Sequence, residues 1–188
     1  VNTRKAAKEI FERLPQEGIT LHLSRMMCPD HVTETIEEIK SALKDKNNRI
    51  IRVVATQLVE AGVDIDFPVV FRQVSGLDSV LQAAGRCNRE GKMGICTTYV
   101  FSLKDTTPFG GLAKRVSTMV SLPRDSDWFA PTTMKEYFLQ VYCRKTFDEK
   151  DIKKSLYNPE EVCYEKAAKE FKLIDDNSIS VVVCWKDS

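Results

Sequence analysis

Three short runs, Ile50 to Thr56, Pro68 to Val74 and Ile95 to Phe101, constrain the fold most, because each is rich in β-branched and other apolar residues without alternating apolar and polar ones. A strand with one wet face alternates. A continuous apolar run is buried on both faces, which calls for a parallel sheet with helices above and below it. The segments between the runs supply those helices. Ala7, Ile10, Phe11 and Leu14 recur at helical spacing behind a cap at Asn2 or Thr3. An apolar alternation at Ile19 to Leu23 is followed by Pro29 and Asp30. These open a charged helix from about His31 to Lys44, with Val32, Ile36, Ile39 and Leu43 on one face. The expected fold class is α/β, with helices on both faces of a parallel sheet.

In an α/β unit the helix at Arg4 to Leu14 follows a buried strand, and only Val1 stands before it. The chain is therefore expected to be a piece of a longer polypeptide, lacking its first strand. After Lys104 the pattern changes to loop chemistry at Thr106 to Gly111, and the stretch to Pro131 reads as irregular. Met134 to Tyr142 and Glu160 to Leu173 read as helices, and Ile179 to Trp185 as a late strand. The expected division is a lobe over residues 1–104 and a mostly helical extension over 105–188, with Trp128, Phe129 and Trp185 as core or lobe-contact residues.

At 188 residues the chain holds one domain with a modest appendage. Its 28 basic and 27 acidic side chains nearly cancel, so any contact with nucleic acid must come from a local cluster rather than a global field. Six cysteines without a C-x-x-C pair, accompanied only by His22 and His31, argue against a zinc module and for reduced thiols; no metal site is expected. No apolar run approaches the roughly 18 residues of a membrane span, and no membrane partner is expected.

Two segments carry candidate chemistry. In Arg52 to Pro68 a strand ends in polar Thr56 and Gln57, then turns at Gly62 into Asp64-Ile65-Asp66. Ligands of open parallel sheets sit beyond the carboxyl ends of strands, where Thr56 and Gln57 would project. If the later part is extended, Asp64 and Asp66 share one face while Ile65 points inward; the two acids also fit a solvated turn. In the second segment, Gln82-Ala83-Ala84-Gly85-Arg86-Cys87-Asn88-Arg89-Glu90-Gly91, a helix would place Gln82, Arg86 and Arg89 on a common face. Two planar guanidiniums suit a phosphate, each fork holding two oxygens. In isolation, a surface ion pair through Glu90 is the better account of the two arginines.

Taken together, A-T-Q-x-x-x-x-G-x-D and, about twenty residues later, Q-x-x-G-R-x-x-R-x-G resemble motifs V and VI of superfamily 2 helicases, in order. Val1-Asn2-Thr3 resembles the end of motif IV, and Leu21 to Met26 the segment one helix later. The wording Ala55 to Glu60, Asp64 to Phe67 and Gly85 to Arg89 is most similar to the CRISPR-associated helicase-nuclease of type I systems. The resemblance covers residues 1–104 well and the remainder only in general style.

The resemblance implies a second RecA-like lobe. In it, Arg89 is the arginine finger on the nucleotide γ-phosphate and Arg86 a second phosphate contact. Gln82, Gly85, Gly62 and Asp64 belong to the nucleotide site, Asp64 facing the ribose. Thr56, Gln57, Ser24 and Arg25 belong to a track for single-stranded DNA. The implied cofactors are ATP and Mg, held mainly by a first RecA-like lobe of the same polypeptide. Its other implied partners are single-stranded DNA and a CRISPR RNA-guided surveillance complex, in a bacterial or archaeal cytoplasm. No G-x-x-x-x-G-K-[ST] loop or D-E-x-H type box occurs in the sequence, so the chain alone is expected not to hydrolyse ATP. Two other assignments fit parts of the pattern: the second lobe of another superfamily 2 RNA or DNA helicase, and a non-catalytic interaction domain whose arginines make structural ion pairs.

Overall fold

The computed structural model describes residues 1–15, 17–45, 50–60, 63–104, 108, 110–142, 152–157, 162–171, 181, 182 and 185. They divide into two compact units, residues 1–141 with 185–188, and residues 142–184.

The first unit begins with α1 (Arg4–Arg13), whose cap is Thr3, with its hydroxyl oxygen accepting from the Ala6 N–H. β1 (Ile19–Leu23) and β2 (Ile51–Ala55) pair in parallel, Ile19 opposite Ile51 and Leu23 opposite Ala55. Between them runs α2 (Pro29–Lys44), with proline in its first turn. Side-chain alternation sends Leu21, Leu23, Val53 and Ala55 to one face, where they pack with Val32, Ile36, Ile39 and Leu43 of α2. His22 lies on the other face, its ring edge-on to Phe11 of α1 at 5.8 Å. This pair of strands is thus covered on both faces, as the continuous apolar sequence of β2 requires. Gly18 precedes β1 with φ of +85°, and a Cβ there would meet the Ile50 carbonyl oxygen at 2.2 Å. Only glycine allows the chain to enter β1 so close to β2.

β3 (Val69–Gln73) and β4 (Thr97–Phe101) form a second parallel pair, Val69 opposite Thr97. The expected single sheet is therefore present, among the described residues, as two parallel pairs. α3 (Leu77–Ala84) connects β3 to β4 and packs on both. It buries Leu77 and Val80 in a core with Met119 and Leu122, and with Tyr137 and Val141 of the later helices. Full burial of one such leucine is worth about 1.5–3 kcal/mol.

That core explains two departures from the sequence reading. The stretch expected to be irregular before Pro131 contains α4 (Gly110–Val120), whose glycines and β-branched residues are weak helix formers. Burial of Thr118 and Met119 stabilises it instead. α5 (Pro131–Tyr142) contributes Tyr137, which is fully buried, so the compact unit runs well past residue 104. Trp128 packs on this core as expected, whereas Phe129 is exposed. The Trp185 ring stacks on His31 at 3.6 Å, and its indole N–H donates to Glu34 Oε2 at 3.2 Å.

The second unit contains α6 (Ile152–Leu156) and α7 (Tyr164–Glu170), which pack on each other; the Cys163 N–H donates to the Ser155 carbonyl at 2.9 Å, and Ala167 is buried. The late strand expected over 179–185 falls largely outside the described residues.

Candidate functional site

Two polar groupings emerge. The first lies beyond the carboxyl ends of β1 and β2. A hollow of about 560 Å³ is lined there by Asn2, Thr3, Arg4, Arg25, Thr56, Gln57 and Leu58. Thr56 is buried where the chain leaves β2 into a single 3-10 turn, and its N–H donates to the Leu23 carbonyl at 3.0 Å. The Gln57 amide donates to the Asn2 carbonyl at 3.0 Å, fixing the hollow's rim. Arg25 is exposed beside it. Ser24, expected with these residues, is fully buried, and its hydroxyl oxygen accepts from the Met26 N–H at 3.3 Å. Its environment is that of a turn-forming residue, outside the hollow. Arg4, which the sequence reading passed over as part of a helix, lines the hollow and adds a second guanidinium.

The second grouping lies where the chain approaches β3 and β4. α3 ends at Ala84 with Gly85 as its cap, so Arg86 and Arg89 are not on the helix with Gln82. The expected common helical face is therefore wrong, for a visible reason. Phe67 pairs with the chain beyond the helix: its N–H donates to the Arg86 carbonyl and its carbonyl accepts from the Asn88 N–H, both at 2.9 Å. This bridge pulls residues 86–88 out of helical geometry. Asn88 then turns the chain at φ of +51°, a conformation asparagine tolerates better than most residues.

Asp66 holds the two residues after that turn. Its carboxylate oxygens accept the backbone N–H groups of Arg89, at 2.7 Å, and Glu90, at 3.3 Å. Asp64, on the same side of the extended segment, meets the Arg89 side chain with Nε to Oδ1 of 3.2 Å. Ile65 between them is buried in the α2 core. The alternation expected of Asp64-Ile65-Asp66 is thus realised, and its two acids both face residues 89 and 90. Glu90 pairs with Lys92 rather than with either arginine.

Arg86 serves differently. Its Nε donates to the Val59 carbonyl at 3.0 Å and its Nη2 to the Glu60 carbonyl at 3.1 Å, tying the two motif-bearing segments together. Glu60 is the hub of this region and carried no role in the sequence reading. Its carboxylate meets Arg72 Nη2 at 2.8 Å and accepts from the Ser79 hydroxyl at 3.1 Å. Arg72 in turn donates to Asn2 Oδ1 at 2.8 Å, and burial pushes its pKa below the ordinary value while Glu60 opposes that shift. A charged residue within an apolar strand was the available signal. Gln82 and Gly85 are exposed at the end of α3, and a Cβ on Gly85 would touch its nearest neighbours only at 3.4 Å or beyond. Gly62 lies outside the described residues.

A parallel α/β lobe with a polar hollow at its strand ends and a separate arginine–carboxylate edge is of the RecA-like class. Within that class, residues 1–92 match the family model "CRISPR-associated nuclease/helicase Cas3, C-terminal". Curated relatives include the CRISPR-associated nuclease/helicase Cas3 of Haloferax volcanii, 52% identical over 42 residues covering 22% of this chain and 4% of the relative. That of Methanothermobacter thermautotrophicus is 30% identical over 89 residues, covering 47% and 10%. T. fusca Cas3 in crystal form superposes with a TM-score of 0.55 at 18% identity, over 89% of this chain and 22% of that one; its AMPPNP form gives 0.54. Residues 1–92, just under half of the chain, are thus similar to the C-terminal part of Cas3, and the chain spans about a tenth or less of the curated relatives' length.

No helix among the described residues is long and apolar enough to cross a membrane. The described residues also contain no group of three or more metal-ligating side chains.

Proposed function

We propose that the chain acts as the second lobe of an ATP-dependent translocase on single-stranded DNA working in CRISPR interference, with the nucleotide edge at Arg89 and the DNA track at the hollow around Thr56. In this reading residues 1–104 carry the motor chemistry and residues 105–188 are an extension of it. The observation that supports it most is the separation of the two groupings. A motor needs its nucleotide and its strand at different places on one rigid lobe, so that closure over one is felt at the other. Here the segment Thr56 to Asp66 runs from one grouping to the other.

The Arg89 guanidinium is half exposed and, among the described residues, paired with the still more exposed Asp64, and is therefore free to exchange that carboxylate for a phosphate. Asp66 positions it through the backbone. Among the described residues Arg86 has one nitrogen, Nη1, outside its two carbonyl contacts, and that nitrogen would be its phosphate donor. Asp64, once released, is an acceptor for a ribose hydroxyl. Gln82 and Gly85 complete the nucleotide face, and Gly62 keeps the role that the resemblance implies. ATP, when bound, supplies the phosphoanhydride whose cleavage drives the cycle. These residues fit its anionic end and its ribose, whereas the described residues offer no acidic cluster to hold Mg, which falls to the first lobe. Thr56, Gln57, Arg25 and Arg4 would hold successive phosphates of a single strand without reading its bases. A surveillance complex would deliver that strand.

Hydrolysis of ATP tests this reading. This chain alone should be silent. The chain joined to its first lobe should hydrolyse ATP faster when single-stranded DNA is added. Activity of the chain alone, or a joined pair indifferent to DNA, would contradict the assignment.

A further inference from the structure

We infer that Cys87 and Cys96 form a dithiol site that a small-molecule disulfide such as oxidised glutathione converts to a protein disulfide, closing residues 88–95 into a covalent loop that carries Arg89. Formation of the bond is independent of the nucleotide and DNA assignments; its effect on hydrolysis rests on them.

Both cysteines are free and half-buried, and the backbone brings them together from two sides. The bridge between Phe67 and Cys87 carries Cys87 to the foot of β3. Its Sγ lies there 3.6 Å from the Pro68 carbonyl oxygen and 3.6 Å from that of Thr97. Thr97 is the first residue of β4, and Cys96 stands just before it. The Cys96 thiol is in hydrogen-bonding contact with the Cys87 side chain. A disulfide forms without backbone movement only where the two residues already approach this closely.

The chain between them is already folded back on itself, and Asn88 holds it so. Its side-chain amide donates to the Gly94 carbonyl, its Oδ1 accepts from the Met93 N–H at 3.0 Å, and its carbonyl accepts from the Gly91 N–H at 2.9 Å. Gly91 and Gly94 take φ of +67° and +69°, which let so short a loop reverse. A bond between Cys87 and Cys96 would make this closure covalent one residue further out on the Asn88 side and two on the Gly94 side.

The chemistry is thiol–disulfide exchange. Desolvation first, then Cys87 and Asp66, raise the pKa of Cys96, which leaves the first attack to Cys87. The Cys87 thiolate attacks one sulfur of the small disulfide, expels the other half as a thiolate and is left in a mixed disulfide. The Cys96 thiolate then attacks the Cys87 sulfur and expels the second half. The two protons of the protein thiols end on two small-molecule thiols. The protein is oxidised by two electrons and the small disulfide is reduced by two. Arg89 stands two residues beyond Cys87 and pairs with Asp64, while Asp66 holds its N–H. The staple fixes the turn in that arrangement, and so opposes exchange of Asp64 for a phosphate.

The test equilibrates the native chain and Cys96→Ser with reduced and oxidised glutathione, quenches with acid and maps disulfides after trypsin, which cuts inside the loop at Arg89 and Lys92. In the native chain residues 87–89 and 93–104 should be recovered as one linked pair that dithiothreitol separates. Amide exchange over residues 89–95 should slow about tenfold in the linked form. Cys96→Ser should stop at a glutathione adduct on Cys87. A native chain that stays unlinked, or that joins Cys87 to any other cysteine, would overturn the site. Linkage with unchanged exchange would overturn the restraint. In the chain joined to its first lobe, oxidation should lower DNA-stimulated ATP hydrolysis severalfold, and the double variant Cys87→Ser/Cys96→Ser should be indifferent to it. Unchanged hydrolysis in the linked protein would overturn the effect on Arg89. Hydrolysis absent from the reduced protein as well would count against the nucleotide reading, and the disulfide map would still decide the site.

Discussion

Arg72 and Arg89 each meet a carboxylate, and the two pairs stand in opposite surroundings. The Arg72–Glu60 side chains are 4% and 11% exposed, whereas those of Arg89 and Asp64 are 42% and 79% exposed. Inside, neither charge has water to fall back on, so each holds the other in place and joins β3 to the turn after β2. Outside, solvent screens the attraction, and the pair can part at little cost. The same chemistry thus builds a rigid frame in one place and an exchangeable contact in the other. A residue meant to reach a phosphate belongs in the second kind of place.

The largest expected effect is on the buried pair. Arg72→Ala leaves Glu60 charged and desolvated and should cost about 3–5 kcal/mol in chemical unfolding. Adding Glu60→Gln in the same chain should recover a substantial part of that loss, because the stranded charge is then gone. A cost below about 1 kcal/mol for the single variant would erase the contrast between the two pairs.

Asp66→Ala comes next. It removes the acceptor of two backbone N–H groups in an exposed turn and should cost about 1 kcal/mol. Asp64→Ala should cost under about 1 kcal/mol and leave the melting curve nearly unmoved. If Asp64→Ala proved as damaging as Asp66→Ala, the exposed pair would be a structural one.

The smallest effect is one of pH. Burial first, and the nearby His31 second, lower the pKa of His22, whose Nε2 is buried without a hydrogen-bond partner among the described residues. The folded chain therefore disfavours the proton that the unfolded chain takes up at its ordinary value near 6.5. The contribution is fully present above that value and is lost as pH falls through the lower, folded-state value. Melting temperature should decline across that acid window in the native chain and decline less in His22→Gln.

The two covered strands and both helices around them were legible because their residues repeat: Val32, Ile36, Ile39 and Leu43 mark a helix face however the rest folds. α4 was hidden because Met119 is held in a core with Leu77 and Tyr137, partners distant in sequence. At the candidate site, composition and order exposed the segments but not their geometry. Helical spacing of Gln82, Arg86 and Arg89 was a sound inference from the residues alone. It failed because Phe67, from another segment, competes for the backbone at Arg86 and Asn88. The burial of Ser24 was hidden for a related reason: a hydroxyl after a strand reads as ligand-facing, and here it accepts from the Met26 N–H. Glu60 went unassigned because nothing local announces that Arg72 lies beside it.

The proposed nucleotide edge stands or falls with Arg89. The most direct test measures single-stranded-DNA-stimulated ATP hydrolysis by the chain joined to its first lobe, with Arg89→Ala, with Asp64→Asn and with neither, at matched DNA binding. Loss of an arginine finger should lower the rate by roughly 10³-fold or more, while Asp64→Asn should have a far smaller effect. A rate that survives Arg89→Ala would show that the exposed pair is no more than a surface contact.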